Sequence, residues 1–232
     1  GLQRERGGQS AASDLMAGVA GLLQKLEPMA MIEEGGLQRA SIAIKLLAHK
    51  SATDPSVGGG ILEARGVRIL LQTALLHPVP ELREGAIVTI LGCVQRAEGA
   101  DSAFVAEALS QQLPAALVRL CSEQDRRARP EDKPEEEEAA AEAAPPGHAA
   151  AEERAYDPDL PARRVAVQCL ARLLLGDAAR AVRVLTSAEW PGVVGTLFAL
   201  LGSTDAQIRK RGATLMLALL ATGVGADAAE AA

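Results

Sequence analysis

Cysteine is the residue type in this sequence from which a metal site or a nucleophile is most easily built. The three cysteines, Cys93, Cys121 and Cys169, stand far apart, with no CxxC pair and no nearby histidine to complete a zinc set. Small thiols are common in protein cores. We therefore predict that all three are reduced core residues, as is typical of proteins in a reducing compartment such as the cytosol.

The other motifs do not complete a catalytic site. Gly58-Gly59-Gly60 lacks the Gly-Lys-Ser/Thr ending of a phosphate loop, so we interpret it as a flexible loop between helices. No Gly-x-Ser-x-Gly motif is present. The histidines lie at a helix end, in a proline turn and in a low-complexity segment, and we interpret each as a solvated surface residue: His49, His77 and His148. The sequence predicts no catalytic residue, no metal, no cofactor and no enzymatic activity.

Basic side chains recur at the predicted helices and are the best candidates for contacts with a partner. Guanidinium groups form paired hydrogen bonds with carboxylates and phosphates, so as a set they favour an acidic segment as ligand. The alternative is that each is a solvated charge at a turn or helix end. The predicted partner-binding residues are Arg83, Arg163, Arg164, Gln168, Arg172, Arg209, Lys210 and Arg211.

Composition indicates an all-helical protein and excludes some partners. Hydrophobic residues make up 48% of the 232 residues and aromatic residues only 2%, and alanine and leucine, which favour helices, dominate. A net charge of -6 argues against nucleic acid as partner. The longest apolar runs are shorter than the roughly 20 residues that span a bilayer, which argues against membrane insertion.

Four segments share a small residue within an apolar helical pattern, which predicts an internal repeat. Their marker alanines are Ala40, Ala86, Ala166 and Ala213, at intervals of 46, 80 and 47 residues. The long interval contains the stretch 126–156, which is rich in glutamate, alanine and proline and has almost no large apolar side chain. Removing it roughly restores the period, so we predict that it is an insertion.

A second apolar helix precedes each of the last three marker segments. These helices are predicted at Gly66–Leu76, Leu113–Cys121 and Trp190–Leu201, because apolar residues recur in them with helical spacing. Proline, glycine and capping residues follow the first and the last of them. A period near 47 residues with two or three helices per unit is typical of HEAT and armadillo arrays. The fold class predicted is all-α, a right-handed α-solenoid of about four such units.

The pattern between Leu37 and Ala221 resembles armadillo repeats, with HEAT repeats as the close alternative. It consists of a second helix ending in Leu-Leu, a polar turn, and a third helix built on Ala-x-x-x-Leu, and the best copy runs from Pro191 to Leu220. The domains predicted are a tail and capping helix (1–36), repeats (37–125), the acidic insertion (126–156), further repeats (157–221) and a disordered tail (222–232). The capping helix is expected at Ser13–Ile32.

The resemblance implies a function in binding another protein. Many armadillo proteins bind extended peptides with a ladder of asparagines on their third helices, but this sequence has no asparagine, and the matching positions are Leu46, Gly92, Arg172 and Leu219. We therefore expect a scaffold or co-chaperone-like adaptor that binds its partner, an acidic segment, on the concave surface. A cytoplasmic location is expected. The alternative is a structural subunit packed permanently in a larger assembly.

Overall fold

The protein is helical throughout the part of the chain that can be described. The computed structural model describes residues 14–97, 102–127, 157–175 and 190–221, and these ranges contain helices and no strand, which confirms the all-α class. The helices are α1 (14–24), α2 (Pro28–Ile32), α3 (Gly36–Thr53), α4 (Val57–Glu63), α5 (Gly66–Leu76), α6 (Pro80–Arg96), α7 (Ala103–Ser110), α8 (Leu113–Arg127), α9 (Leu160–Leu175), α10 (Trp190–Leu201) and α11 (Ala206–Ala221). Most of the predicted insertion and the predicted C-terminal tail lie outside these ranges.

The four predicted marker segments all form long helices, which pack side by side. We call α3, α6, α9 and α11 the marker helices. In the order of the chain, α3 packs on α6, α6 on α9, and α9 on α11. The second helices form another layer, because α5 packs on α6 and α8, α8 on α9 and α10, and α10 on α11. The short helices α4 and α7 contact each other and the second helix that follows each of them.

Burial corrects the alignment of the last marker helix by one residue. In α3 the buried face includes Gly36, Ala40, Ala43 and Leu47. In the other marker helices, residues with the same spacing are buried. The sets are Leu82, Ala86, Thr89 and Cys93; Ala162, Ala166, Cys169 and Leu173; and Ile208, Gly212, Leu215 and Leu219. The equivalent residue in α11 is therefore Gly212, and the prediction of Ala213 is wrong. We call Ala40, Ala86, Ala166 and Gly212 the reference residues; the first and last intervals between them are both 46 residues.

Two other sequence interpretations are also wrong. The glycine triplet 58–60 lies within helix α4, where Gly60 approaches α1 so closely that an added Cβ would be 3.1 Å from the Met16 sulfur. Close packing against α1 accounts for glycine at position 60, whereas an added Cβ at Gly58 or Gly59 would make only ordinary contacts, at 3.8 and 3.6 Å. The predicted capping helix is two helices, because Pro28 starts α2 and holds the preceding Glu27 in extended backbone with ψ of 140°.

Glycines on α6 bring it into close contact with α3. A Cβ added at Gly85 would lie 2.7 Å from Cγ1 of Ile44, and one added at Gly92 would lie 2.4 Å from Oγ of Ser51 and 2.9 Å from its backbone carbon. The two glycines are seven residues apart, two helical turns, so they lie on the same flank of α6. The lack of a side chain at Gly85 and Gly92 thus allows α3 and α6 to lie this close together.

No helix in the described ranges has the length and apolar character needed to cross a membrane.

The close contact at Gly92 predicts a large effect of one added methyl group. We expect Gly92→Ala to lower the free energy of unfolding by about 1–3 kcal/mol, since the Ser51 backbone cannot move without shifting α3. Gly195→Ala is the matched control: Gly195 is exposed inside α10 with nothing within 4 Å of an added Cβ, so alanine should be neutral or stabilise by up to about 1 kcal/mol. Urea denaturation followed by circular dichroism measures both. Equal stability of the two variants would contradict the close approach.

Candidate interaction surface

The turns that lead into α6, α9 and α11 are built in the same way. Nine residues before each reference residue, a side chain accepts a hydrogen bond from the backbone N–H two residues later. The pairs are Val79 N to His77 Nδ1 (3.1 Å), Asp159 N to Asp157 Oδ1 (3.0 Å) and Asp205 N to Ser203 Oγ (3.2 Å). Three different residue types thus form one kind of turn.

An arginine six residues later folds back onto each of these turns. Arg83 donates to the carbonyl oxygen of His77, and the buried Arg163 forms an ion pair with Asp157. Arg209 donates from Nη1 to the carbonyl oxygens of Ser203, at 2.6 Å, and Thr204, at 2.8 Å. All three arginines stand three residues before a reference residue. In α3, Arg39 makes a similar contact with Glu33 at 2.9 Å, from a different position in its unit.

Two further contacts join one marker helix to the turn before the next. Arg83 forms an ion pair with Asp159, and both side chains are mostly buried. Arg164 binds Asp205 at 2.6 Å, and this hydrogen bond holds the pKa of the Asp205 carboxyl below its usual range. Asp205 also caps α11 by accepting from the backbone N–H of Ile208 at 2.9 Å. In both pairs the acid stands seven residues before the reference residue of the later helix.

The structure therefore divides the predicted partner-binding residues into two groups. Five of them bind this chain's own turns or backbone: Arg83, Arg163, Arg164, Arg209 and Arg211, the last through a 2.7 Å hydrogen bond to the carbonyl oxygen of Arg164. The other three lie on the face of the marker helices that no neighbouring helix covers: Gln168, Arg172 and Lys210. Within the described ranges, neither Arg172 nor Lys210 forms an ion pair.

The uncovered face is called the open face below. Its central positions, two residues after each reference residue, are Ile42, Val88, Gln168 and Thr214, all exposed or half-buried. Of the four residues matched to the asparagine ladder, Leu46 and Arg172 are exposed, whereas Gly92 and Leu219 are buried. In the corrected alignment the residue of α11 at this position is Ala218, in place of Leu219.

Acidic residues are the part of these contacts that sequence reasoning missed. Asp159 and Asp205 were not among the predicted site residues, although each directly precedes a marker helix. An acid seven residues before the reference residue, paired with an arginine in the preceding unit, is a signal in the sequence. It becomes visible only when the units are aligned on Gly212.

The cysteines are not in a reactive state. Cys93 and Cys169 are buried, which confirms the predicted burial of these two residues, and Cys121 is half-buried. All three are free thiols. Burial raises the pKa of each thiol to about 12, so none is a thiolate nucleophile at neutral pH. In the part of the chain described, no three histidine, cysteine or acidic side chains come together as metal ligands would.

His77 is half-buried at a junction and is not the solvated residue that the sequence suggested. Its Nε2 lies 3.1 Å from Sδ of Met31, and its Nδ1 accepts from Val79. The Nδ1 atom must therefore be unprotonated in the folded state. Burial lowers the pKa of His77 from its ordinary value near 6.5, and the nearby Arg83 also lowers it.

Loss of the arginine contacts should cost stability. We expect Arg83→Met, which keeps most of the apolar stem, to lower the free energy of unfolding by about 1–3 kcal/mol, because Asp159 and the His77 carbonyl lose a charged donor. Arg172→Met on the open face is the control and should change stability by less than about 0.5 kcal/mol. Urea denaturation of the two variants at the same pH provides the comparison. The opposite ranking would show that Arg83 is not a structural residue.

The lowered pKa of His77 predicts a loss of stability on acidification. The unfolded chain binds a proton more readily at this residue than the folded chain does, so stability is present above pH 6.5 and falls as the pH drops below that value. His77→Ser keeps a side-chain acceptor, as Ser203 does in the equivalent turn, but does not titrate. Thermal melts between pH 8 and pH 5 should show a smaller decrease in Tm for the serine variant. Parallel decreases in both proteins would refute the role given to His77.

Comparison with known proteins does not assign the chain to a family. No protein-family model matches this sequence, and a search of curated proteins gives no match.

Proposed function

We propose that this chain is a right-handed α-solenoid of armadillo or HEAT type that binds another protein on the open face of its marker helices. The observation that carries the proposal is the row of four long helices, packed one on the next, with one face of each left uncovered. A row of parallel helix faces forms an extended surface, and binding to such a surface is the usual role of helical repeat arrays.

The recurring turn supports the repeat arrangement. The turns that begin at His77, Asp157 and Ser203 each have a side-chain acceptor at their first residue and an arginine that returns to the turn from six residues later. Apolar periodicity alone does not explain hydrogen bonds that recur at fixed positions before the reference residue, because each turn needs a side chain that can accept at one position and an arginine at another. It favours one ancestral unit repeated along the chain.

The chemistry of the open face indicates which ligand it fits. Three cations lie there, Lys45, Arg172 and Lys210, beside the apolar residue Ile42. The arginines of the turns are occupied within the chain, so recognition of an acidic ligand depends on these three. We propose that the partner is a protein segment with carboxylates flanking apolar side chains, and that nucleic acid is not the ligand. The buried reduced thiols fit a cytoplasmic location.

A second candidate function is that of a subunit held permanently in a larger assembly. Exposed apolar side chains favour it: Met29 is 76% exposed and Ile32 is 78% exposed, and both lie on the short helix α2. Single exposed apolar residues are ordinary, but adjacent ones often mark an interface. The two candidates differ in whether the purified chain remains soluble without its partners.

Comparative capture tests the role of the open face. The full chain, immobilised, is incubated with a cell extract alongside the double variant Arg172→Glu/Lys210→Glu. The control is Arg68→Glu, an equally basic exposed position on α5, outside the marker helices. We expect proteins retained by the wild type and by the control to be lost from the double variant, because the reversed charges repel an acidic segment. Mass spectrometry identifies them, and direct titration with the purified partner follows.

The salt dependence of that titration separates charge from apolar contact. Exposed charge pairs are screened by salt, so we expect affinity to decrease between about 0.05 and 0.5 M salt. Retention of the same proteins by all three immobilised chains would contradict binding on the open face.

A further inference from the structure

Each inner marker helix has two flanks, one against the preceding marker helix and one against the following one. On α3 the flank toward α6 carries Ile44 and Ser51, four and eleven residues after the reference residue. On α6 the flank toward α3 carries Gly85 and Gly92, one before and six after it. The row therefore has a direction, with a following flank always packed against a preceding flank.

The last marker helix has a following flank that no described helix covers. Eight residues after the reference residue, Val94 of α6 is 3% exposed and Leu174 of α9 is 2% exposed, but Leu220 of α11 is 72% exposed. Five residues after it, Leu91 of α6 is 7% exposed and Leu217 of α11 is 68% exposed. Helix α11 thus keeps the apolar pattern that receives a further helix.

Within the described ranges, no marker helix packs against the preceding flank of the first marker helix, which α2 contacts near its start. Six residues after the reference residue, α6 has the buried Gly92 and α3 has Leu46, which is 44% exposed. The following flank of α11 and the preceding flank of α3 are thus the two sides of one kind of contact. Because α3 carries Arg39 and Leu46 where α6 carries Gly85 and Gly92, the two helices would lie farther apart than α3 and α6 do.

Charges at the two ends are complementary in the same way. The acid that receives an arginine from the preceding unit stands seven residues before the reference residue, as Asp159 and Asp205 do. The α3 unit has Glu33 at this position, with 70% of its side chain exposed, whereas the α6 unit has Val79. The arginines that pair with these acids stand three residues before the reference residue in α6 and two before it in α9. At these two positions α11 has Arg209 and Lys210, whereas α3 has Leu37 and Gln38.

The acid of the first unit and the cations of the last therefore have no equivalent partner in the part of the chain that the structure describes. At the internal step from α3 to α6, the cation position of α3 and the acid position of the α6 unit are both uncharged. At the steps to α9 and α11, both are charged and paired. Glu33 forms an ion pair with Arg39 of its own unit, and both side chains are largely exposed.

We propose that the chain binds a second copy of itself head to tail, with the following flank of α11 against the preceding flank of α3 in the next copy. The contact repeats the packing of α9 on α11 and pairs Lys210 or Arg209 of one copy with Glu33 of the other. Such a contact uses different surfaces of the two copies, so it produces a ring or an open chain of copies. It goes beyond the proposed function. Lys210 also lies on the open face, so the Leu220→Glu chain, which leaves Arg172 and Lys210 unchanged, distinguishes loss of this contact from loss of partner binding.

Sedimentation velocity of the full chain tests the proposal over a range of concentrations. One helix flank buries less area than a standard interface of roughly 1,600 Å², so we expect association above about 10 μM. Leu220→Glu changes the contact surface on α11, and Leu46→Glu changes the one on α3. Each should weaken association at least about tenfold, because an unpaired carboxylate would be buried in the contact. Leu76→Glu is the control, a leucine 66% exposed at the end of α5, and should associate like the wild type.

Mixing the two end variants tests the direction of the contact. The Leu220→Glu chain keeps an intact α3 end, and the Leu46→Glu chain keeps an intact α11 end. Each alone should be monomeric, while a mixture should form one-to-one dimers that grow no further. An association lost in Leu220→Glu and unchanged in Leu46→Glu would overturn the proposal in favour of a two-fold contact through α11.

Charge reversal provides an independent check. Glu33→Lys and Lys210→Glu should each weaken association, and the chain that carries both should recover it, because the pair is reversed at every junction. A wild-type chain that stays monomeric at all concentrations, or a Leu76→Glu chain that loses association as fully as the end variants, would overturn the proposal.

Discussion

Close contact between successive marker helices is the interaction on which the rest of the structure depends. At the first step of the row, this contact depends on a flank without bulky side chains, where Gly85 and Gly92 of α6 lie against Ile44 and Ser51 of α3. The second layer then covers the side of the marker helices that carries the reference residues, and the leucines and isoleucines there are almost completely buried. Because two flanks and one side are used for packing, each inner marker helix has one face left uncovered.

The same contact explains where the charges lie. A turn that leads into a marker helix must hold backbone groups in place beside the preceding unit, and a returning arginine with a side-chain acceptor does this at three turns. Arg83 and Arg164 extend the arrangement across two units by binding Asp159 and Asp205. Arginine suits this role because its planar group can donate to two acceptors at once. Most of the basic charge near the turns therefore stabilises the fold.

Helix positions were predictable from the sequence because apolar periodicity is a local property. Gly66–Leu76 and Trp190–Leu201 form helices with the predicted ends, and all four marker segments are helical. The role of a residue between helices was not predictable in this way. Glycines 58–60 suggest a loop until the approach of α1 is known, and Arg163 suggests a ligand-binding residue until Asp157 is placed beside it. These outcomes depend on distances between distant parts of the chain, which periodicity does not contain.

We propose that the four marker helices form an open row in the order of the chain. Pulsed electron paramagnetic resonance between spin labels on unnatural amino acids measures this directly, with one label replacing Ile42 and the other replacing Gln168 or Thr214. Because packed helices lie 8–10 Å apart, the distance from Ile42 to Thr214 should exceed the distance from Ile42 to Gln168 by about one helix spacing. The longer distance should be roughly 20–30 Å. A distance from Ile42 to Thr214 equal to or shorter than that from Ile42 to Gln168 would indicate a closed bundle and contradict the row.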